Sequence, residues 1–384
     1  MECKYFGECG ACRVYENGYE AQLSDKVELN RERFSSFYSG EITVIESPQE
    51  HYRYRSEFKI WHPKGTSSLS LTAHTSDNEI DYAMTNSEKN GVILVDECPQ
   101  VNEYIVNLMP KLLAAISAHK IGFKLFAVDF LSSSSGEIVV SLLYHRKLDE
   151  AWAEVASQIS KELHIHIIGR SRGQKVVIGQ DSVLETLKIN GNVYKFNHIE
   201  NSFTQPNPRV NEQMITWALK NLSNIDGDLL ELYCGAGNFT IPFAKKFNKI
   251  LATEVSKSSI NAAKANMFLN SVTNIEFVRM SVEEFVQALD EVRKFNRMSE
   301  VDIDSYSINT IFVDPPRSGM DDASCRFASR YEHILYISCN PVTLLRDLDI
   351  LCQTHVITDM ALFDQFPYTH HVEMGVKLIT KGLE

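Results

Sequence analysis

The amino-acid sequence predicts an α/β protein in which a C-terminal, doubly wound Rossmann-like domain follows a central α+β module. From about residue 196 onward, short β-rich runs alternate with helical stretches, which is typical of a parallel sheet. Between residues 42 and 195, β-rich runs follow one another with two helical interruptions, which favours a mostly antiparallel sheet. We therefore expect three parts: a cysteine-bearing head with one helix at 1–40, the α+β module at 41–195 and the Rossmann-like domain at 196–384.

Short patterns predict the elements of the first two parts. Leu23 and Phe34 recur at roughly helical spacing, which predicts a helix over residues 19–37. Helical stretches interrupt the central module at residues 101–118 and 147–163. The predicted strands of that module are EITVI, YRYRSEFKIW, SLSLTAH, FKLFAVDFL, EIVVSLLYH, HIHIIGR and KVVIG.

The C-terminal part consists of predicted strands and helices in turn. Its strands are DLLELYC, KILATEV, IEFVRM, TIFVDPP and ILYISC. Its helices are GNFTIPFAKKF, SKSSINAAKANMFLN, VEEFVQALDEVRKF and a segment that begins at Pro341. Because ligands of doubly wound sheets bind beyond the carboxyl ends of the strands, we expect the chemistry at that edge.

Composition restricts the functional classes. The 384 residues are 44% hydrophobic and 23% charged, which excludes collagen-like, low-complexity and broadly disordered chains. The formal net charge of −12 requires that any nucleic-acid partner meet a local basic patch. No apolar stretch approaches the ~18–20 residues that span a bilayer, and the first residues do not begin a signal peptide. We therefore expect a cytoplasmic protein with no membrane partner.

A glycine-rich turn follows the first strand of the C-terminal part. Gly235 and Gly237, in the run CGAGN, let the backbone turn tightly beneath a ligand, and the following helix offers free N–H groups. The third glycine of the dinucleotide fingerprint is absent, which favours a compact nucleoside such as S-adenosylmethionine over a pyrophosphate. Glu254 ends the next strand, where such folds place the carboxylate that accepts ribose hydroxyls.

Three later positions carry reactive side chains. Asp314 ends a strand, and the two prolines after it fix the direction of its carboxylate. Cys339 lies between a strand and a helix, and we expect the positive end of that helix to lower the pKa of the thiol. Glu373 lies near the end of LFDQFPYTHHVEMG. The neighbouring His370 and His371 lack further spaced ligands, which favours packing or substrate contact over a metal site.

Five motifs stand in a fixed order along the chain. They are NSFTQPN at 201–207, ELYCGAGNF at 231–239, FVDPPRSG at 312–319, LYISCNP at 335–341 and FDQFPYTHH at 363–371. Together they resemble the tRNA (uracil-5-)-methyltransferase family of the RNA 5-methyluridine methyltransferase superfamily. The resemblance implies S-adenosylmethionine-dependent methylation of C5 of uridine 54 in the T-loop of tRNA, with tmRNA as a further substrate.

The resemblance also implies roles for particular residues. Cys339 matches the nucleophile of the family, Glu373 matches its base, and Asp314 matches the pocket shared by uracil and cofactor. In addition to the two glycines of the turn, the residues that match the cofactor pocket of the family are Gln205, Tyr233, Asn238 and Glu254.

The chemistry of uracil supports two of these roles. C5 of uracil is too poor a nucleophile to attack a methyl sulfonium directly, whereas a thiolate that adds to C6 creates an enolate whose C5 attacks. Cys339 supplies the thiolate in this scheme. Glu373 then removes the C5 proton so that the thiol can be eliminated.

Two basic segments predict the RNA-binding surface. In the run YRYRSEFK, Arg53 and Arg55 share one face of a strand and, with Lys59, suit phosphates, while the aromatic residues stack on bases or fill the core. Arg170 and Arg172 lie in a second basic turn, GRSRGQK. A target uridine inside a folded loop must be flipped out before its C5 and C6 can be reached.

Four cysteines depart from the pattern of the tRNA branch. Cys3, Cys9 and Cys12 form C-x5-C-G-x-C, and Cys98 lies in VDECPQ. This set resembles the [4Fe–4S] site of the ribosomal-RNA branch of the superfamily. Zinc would also accept four thiolates, and free thiols are the third alternative. We expect a metal there to tie the head to the central module without taking part in methyl transfer.

Three other functions remain as alternatives. The same reaction on a uridine of 23S ribosomal RNA is favoured by the head cysteines and disfavoured by the C-terminal motifs. An amino-group methyltransferase built on Asp314-Pro315-Pro316 would need neither Cys339 nor Glu373. A module that binds, folds and releases tRNA would tolerate the loss of Cys339. We expect a monomer that contacts the T-arm of its RNA.

Overall fold

The structure, a computed structural model, describes residues 1–63 and 80–383. The predicted strand SLSLTAH lies outside the described residues, as does Lys64. The helices of the described part are α1 (Gly18–Phe34), α2 (Glu103–Ala118), α3 (Glu150–Leu163), α4 (Pro208–Leu222), α5 (Thr240–Phe243), α6 (Lys257–Leu269), α7 (Val282–Leu289), α8 (Asp322–Ala328) and α9 (Pro341–Leu351). Two short 3-10 turns cover Asn296–Met298 and Ile303–Ser305.

The strands of the described part belong to two large sheets and one hairpin. In chain order they are β1 (Ile42–Ile45), β2 (Arg55–Trp61), β3 (Asp81–Thr85), β4 (Val92–Leu94), β5 (Leu125–Ser132), β6 (Ile138–Tyr144), β7 (His166–Ser171), β8 (Gln174–Ile178), β9 (Ser182–Ile189), β10 (Asn192–Ile199), β11 (Asp228–Leu232), β12 (Ile250–Thr253), β13 (Ile275–Val278), β14 (Ile308–Val313), β15 (His333–Ser338), β16 (His355–Phe363) and β17 (Glu373–Thr380).

The central module is built on one sheet with the strand order β4-β3-β2-β5-β6-β7-β8. Its described pairs are antiparallel except β6 with β7, which are parallel. Residues of β2 alternate between buried and exposed, because successive side chains of a strand point to opposite faces. Phe58 packs against Tyr82 and Phe130 in the core that α2 and α3 cover. The predicted α+β module is therefore confirmed.

The second sheet carries the Rossmann-like domain and has the order β1-β16-β17-β15-β14-β11-β12-β13. β17 runs antiparallel to both of its neighbours, and the other described pairs are parallel. Apolar side chains of β11 alternate between two cores, since Leu229 faces one and Leu230 the other. From β11 the chain continues to β12 and β13 on one side of β11 and then returns to β14 on the other side. The carboxyl ends of β11 and β14 therefore form the topological switch point, where doubly wound sheets bind their ligands.

The first part of the chain joins this second sheet. β1 pairs in parallel with β16, from Ile42 opposite Met360 to Ile45 opposite Phe363. Helix α1 packs against β1 and α9. The predicted boundary at residue 41 assigns β1 to the central module, whereas β1 belongs to the sheet of the Rossmann-like domain. A four-residue strand carries no sign of which sheet it joins. No helix among the described residues is both long and apolar enough to cross a membrane.

Candidate active site

A cavity of about 1270 Å³ lies at the carboxyl ends of the parallel strands, between the Rossmann-like domain and the central module. Side chains from both parts line it, including Arg53 and Glu57 of the module. Gly237 lies in the cofactor turn without lining the cavity. The other residues predicted for chemistry or cofactor binding all line it: Gln205, Tyr233, Gly235, Asn238, Glu254, Asp314, Cys339 and Glu373.

The glycine-rich turn begins directly after β11. Tyr233, Gly235 and Gly237 all have positive φ angles, of 61°, 55° and 84°, so the chain folds back on itself here. A Cβ atom at Gly237 would lie 3.2 Å from the Ile241 side chain, which adds a packing reason for glycine. Both oxygens of Glu254 accept backbone N–H groups, from Gly235 at 3.2 Å and from Ser256 at 2.8 Å. The turn and the carboxylate thus hold each other in place.

Two amide side chains of the predicted cofactor pocket are also held. The Asn238 side chain exchanges two hydrogen bonds with that of Asn211, at 2.8 and 2.9 Å. Gln205 accepts a hydrogen bond of 2.9 Å from the Gln365 side chain. Burial raises the pKa of Tyr233 to about 12, so this phenol is neutral at physiological pH. These groups are arranged before any ligand binds, which lowers the cost of binding one.

The register of the sheet brings the three reactive side chains together. Ser338 in β15 lies opposite Met374 in the antiparallel β17, and Cys339 and Glu373 are the adjoining residues on these two strands, close enough for the Glu373 charge to act on the thiol. β17 starts at the edge where the parallel strands end, and Asp314 follows β14 at that same edge. A thiol and two carboxyl groups separated by up to 59 positions in the sequence therefore line the same cavity.

Burial controls the charge of these groups. It raises the pKa of Asp314 to about 7. Burial and the nearby Asp314 raise the pKa of Glu373 well above its usual range. Burial, followed by the charges of Glu373 and Asp314, raises the pKa of Cys339 to about 11, although Arg317 opposes this shift. The expectation of a lowered thiol pKa is therefore wrong for the protein without ligands, since burial and two carboxylates outweigh the helix end.

Four further residues of the cavity were not predicted from the sequence. Phe203, with 77% of its surface exposed, and Phe366 both line the cavity. Arg317 lines the cavity, and its Nη2 atom lies 3.2 Å from Nδ1 of His371. Glu231 is buried, and its Oε2 atom has no hydrogen-bond partner among the described residues. The sequence signal that could have identified Glu231 is an acidic residue inside the apolar run DLLEL.

The predicted RNA contacts do not form one surface. Arg53 reaches the cavity, where its guanidinium lies 6.0 Å from the Phe366 ring centre. Arg55 instead donates to the Ser202 backbone carbonyl at 2.6 Å, and Lys59 donates to a threonine hydroxyl. Arg170 forms a two-point ion pair with the buried Glu200, at 2.6 and 2.5 Å. The remaining residue, Arg172, is exposed in the turn between β7 and β8.

A basic and aromatic surface lies on the loops that flank β5 and β6. The rings of Phe126 and His145 stack with their centres 4.0 Å apart. Lys124 lies over the ring of Phe123, which is 67% exposed, and Arg146 lies over the ring of Tyr144. Exposed aromatics beside cations are the usual means of stacking nucleic-acid bases next to phosphates. Only the fold brings these two loops together, so the sequence did not reveal the surface.

The four head cysteines meet at a second, much smaller cavity. Cys3, Cys9, Cys12 and Cys98 all line this space of about 30 Å³. Burial raises the pKa of each thiol, to about 11 at Cys98. A space of this size holds about one water-sized group. Within the described residues, no three or more Cys, His, Asp or Glu side chains are arranged to hold a metal ion.

The fold and the cavity define the class of the protein. A Rossmann-like sheet whose glycine-rich turn and strand-end carboxylate line a large cavity is typical of S-adenosylmethionine-dependent methyltransferases. The model of the tRNA (uracil-5-)-methyltransferase family matches residues 18–381. The chain therefore belongs to this family, and the resemblance seen in its five motifs is confirmed.

Relatives and solved structures agree with this assignment. A tRNA/tmRNA (uracil-C(5))-methyltransferase of Sulfurimonas denitrificans is 70% identical over 381 residues, covering 99% of this chain and 100% of the relative. One from Cellvibrio japonicus is 47% identical, covering 94% and 95%. A Pyrococcus abyssi tRNA (uracil-54, C5)-methyltransferase in complex with S-adenosyl-L-homocysteine superposes with a TM-score of 0.69 at 20% identity, covering 94% and 84%. This last likeness supports the fold.

Proposed function

We propose that the protein methylates C5 of uridine 54 in the T-loop of tRNA, with S-adenosylmethionine as methyl donor and tmRNA as a further substrate. The observation that carries the proposal is that Cys339 and Glu373, from adjacent strands, line the cavity that the glycine turn also lines. The names of the relatives support the substrate. S-adenosylmethionine, when bound, supplies an electrophilic methyl group.

The residues of the cavity divide the reaction between them. As uracil enters, Cys339 loses its proton, and Asp314, with a pKa of about 7, is the nearby group suited to accept it. Sγ of Cys339 then bonds to C6, and the electrons of the C5–C6 double bond pass into the enolate. Once C5 carries the methyl group, Glu373 in its ionised form removes the C5 proton. The electrons of the C5–H bond re-form the C5–C6 double bond, and Cys339 leaves C6 as a thiolate that takes its proton back from Asp314.

The RNA side of the cavity fits a flipped base. Arg53 and Phe366 form a cation and aromatic pair at the cavity wall, and Phe203 is a further exposed aromatic residue of the lining. A uridine taken out of the T-loop loses its stacking partners, and aromatic rings replace them. The surface around Phe126 and His145 offers a second place for unstacked bases and phosphates.

The test is methylation of a synthetic T-arm RNA, followed by mass mapping of every uridine. We expect one methyl group, on C5 of uridine 54, and none with Cys339→Ala. A T-arm with 5-fluorouridine at position 54 should trap the wild-type protein as a stable adduct, because fluorine at C5 cannot leave as a proton. Methylation of a 23S ribosomal-RNA fragment in preference to the T-arm would overturn the substrate proposal.

The placement of Cys339 and Glu373 also bears on the alternatives. An amino-group methyltransferase would have no use for a thiol facing a buried carboxylate, so this alternative loses support. The ribosomal-RNA alternative depends on the head cysteines alone. All eight cysteines are free thiols, which suits the cytoplasm, where we place the enzyme with its tRNA. The monomeric state stays a prediction.

The head carries a second proposal, that Cys3, Cys9, Cys12 and Cys98 bind a metal, as a [4Fe–4S] cluster or, alternatively, as zinc. Four thiols from two separate segments line one cavity, and no basic side chain lines it. Against this, the side chains as placed do not form a ready ligand set, and a space of about 30 Å³ is too small for a four-iron cluster unless the head moves.

Metal analysis of anaerobically purified protein tests this second proposal. About four irons and a brown colour would support the cluster, and stoichiometric zinc would support a four-thiolate zinc site. Protein with neither metal, in which all four head thiols react with a thiol reagent after unfolding, would overturn the proposal and leave free cysteines.

A further inference from the structure

A buried ion pair joins the first helix to the loop between β16 and β17. Nζ of Lys26 lies 2.6 Å from one oxygen of Asp364, and both side chains are almost fully buried. Gln22, one turn earlier on α1, donates to the other oxygen of Asp364 at 3.1 Å. Burial lowers the pKa of Lys26, although the Asp364 charge opposes the shift. Such a pair is costly to desolvate, so its location calls for a reason beyond stability.

The loop that this pair holds, residues 364–372, is a wall of the active-site cavity. Phe366, Thr369 and His371 all line the cavity, and Glu373 follows at the start of β17. Nζ of Lys26 makes a second contact with this loop, donating to the Phe366 carbonyl at 3.1 Å. The hydroxyl of Thr369 donates to that same carbonyl at 2.8 Å. The peptide that carries the Phe366 ring is therefore fixed from outside the cavity by α1.

Other contacts from outside the cavity hold the same loop. The Tyr52 hydroxyl donates to the Pro367 carbonyl at 3.2 Å. The backbone N–H groups of Arg13 and Val14 donate to the Tyr368 carbonyl at 2.9 and 3.1 Å. Lys26 differs from these residues in that its charged group binds both ends of the segment 364–366. It therefore sets the path of the chain as it enters the cavity wall.

We infer that Lys26 is a positioning residue for the RNA side of the reaction: paired with Asp364, it holds the Phe366 ring where the flipped uridine must stack. The inference rests on the proposed function. The cofactor side is held by separate contacts, since Glu254 is bound by Gly235 and Ser256. Loss of Lys26 should therefore weaken the use of RNA and leave the binding of S-adenosylhomocysteine nearly unchanged.

The obvious variant, Lys26→Met, leaves the Asp364 carboxylate buried and unpaired, so it is expected to fold poorly. The informative variant is the double substitution Lys26→Met with Asp364→Asn, which removes both charges. It keeps a side chain at position 364 that can accept from Gln22, but the Phe366 carbonyl loses its donor on α1. Leu23→Ala is the matched control, because Leu23 lies on the same helix and packs in the apolar core, and its side chain forms no hydrogen bond or ion pair with the loop.

The experiment measures KM for the T-arm RNA, the dissociation constant of S-adenosylhomocysteine and the melting temperature. For the double variant we expect KM for RNA to rise about tenfold, the scale of one lost hydrogen bond to a charged group. We expect its affinity for S-adenosylhomocysteine to stay within about twofold. Leu23→Ala should lower the melting temperature and leave KM for RNA unchanged.

The outcomes separate this inference from the proposed function. A double variant with wild-type KM for RNA, or one whose KM changes only as much as that of Leu23→Ala, would show that the pair is merely structural and would overturn the inference. If the wild-type protein itself neither methylates the T-arm nor forms the 5-fluorouridine adduct, the proposed function fails instead. Adduct formation that slows in the double variant, while wild type reacts fully, supports both.

Discussion

The two walls of the cavity differ in how well their residues could be predicted. On the wall of the Rossmann-like domain, Cys339, Asp314 and Glu373 all reach the cavity. On the wall of the central module, Arg53 reaches it, whereas Arg170 is bound by Glu200. The difference follows from the type of signal. A reactive residue at a strand end is fixed by the sheet, whereas a basic residue in a strand pairs with whichever acid the fold brings near.

The largest expected effect concerns the wall that was well predicted. If Glu373 acts only after methyl transfer, Glu373→Gln should form the methylated Cys339 adduct and fail to release it, lowering kcat by about 10²–10⁴-fold. A denaturing gel with labelled T-arm RNA would show the accumulated complex. The control is Glu276→Gln, which alters a half-buried glutamate outside the cavity lining and should turn over normally. A folded Glu373→Gln protein without any adduct would place this carboxylate earlier in the reaction.

A second prediction concerns the wall of the central module. Arg53→Gln should weaken RNA binding about tenfold. It should also make the slope of log affinity against log salt concentration shallower by about one, the value for one phosphate contact. Arg170→Gln should instead destabilise the protein, because it leaves the Glu200 carboxylate buried without its partner. Binding titrations at several salt concentrations, with melting curves, separate the two. Equal losses of RNA affinity would mean that Arg170 leaves Glu200 to contact RNA.

The pKa of Cys339 yields a third prediction of comparable size. With a thiol pKa of about 11, alkylation of Cys339 should be slow at pH 7 and rise with pH. Between pH 6 and 8 the rise should be shallower than tenfold per unit, because Asp314, with a pKa of about 7, ionises over this range, and its charge is one of the causes of the high thiol pKa. An analogue with a cation at the sulfonium position, such as sinefungin, should accelerate alkylation about tenfold by lowering the thiol pKa.

Two comparisons make this measurement specific. S-adenosylhomocysteine, whose sulfur is neutral, should occupy the same site without accelerating alkylation. Cys352 is the matched control thiol, since burial raises its pKa to about 11 as well and it lies outside the cavity. Equal acceleration by both ligands would indicate a conformational effect in place of an electrostatic one.

Much of the fold was predictable because strand and helix alternate in distinct patterns, and both sheets have the predicted type. The sheet to which β1 belongs was not predictable, because the four residues from Ile42 to Ile45 match either sheet. Only the tertiary pairing with β16 decides which sheet the strand joins. The pKa of Cys339 was not predictable either. The sequence shows that the thiol precedes a helix, but it does not show that the thiol is buried. Phe126 and His145 were missed for the same reason, since β5, which contains Phe126, must pair with β6, which His145 follows, before the two rings stack.

The smallest expected effect concerns the head, where four cysteines stand apart from the cavity chemistry. Cys98→Ser should lower the melting temperature by a few degrees, the scale of about 1–2 kcal/mol in a chain of this size, and should release any bound metal. Methylation should stay within about twofold of wild type, because the four thiols line a second cavity and have no role in the proposed reaction. Cys352→Ser is the control, since this half-buried thiol does not line the cavity of the head cysteines. A large loss of activity with Cys98→Ser would mean that the head shapes the cavity wall, which Cys98 also lines.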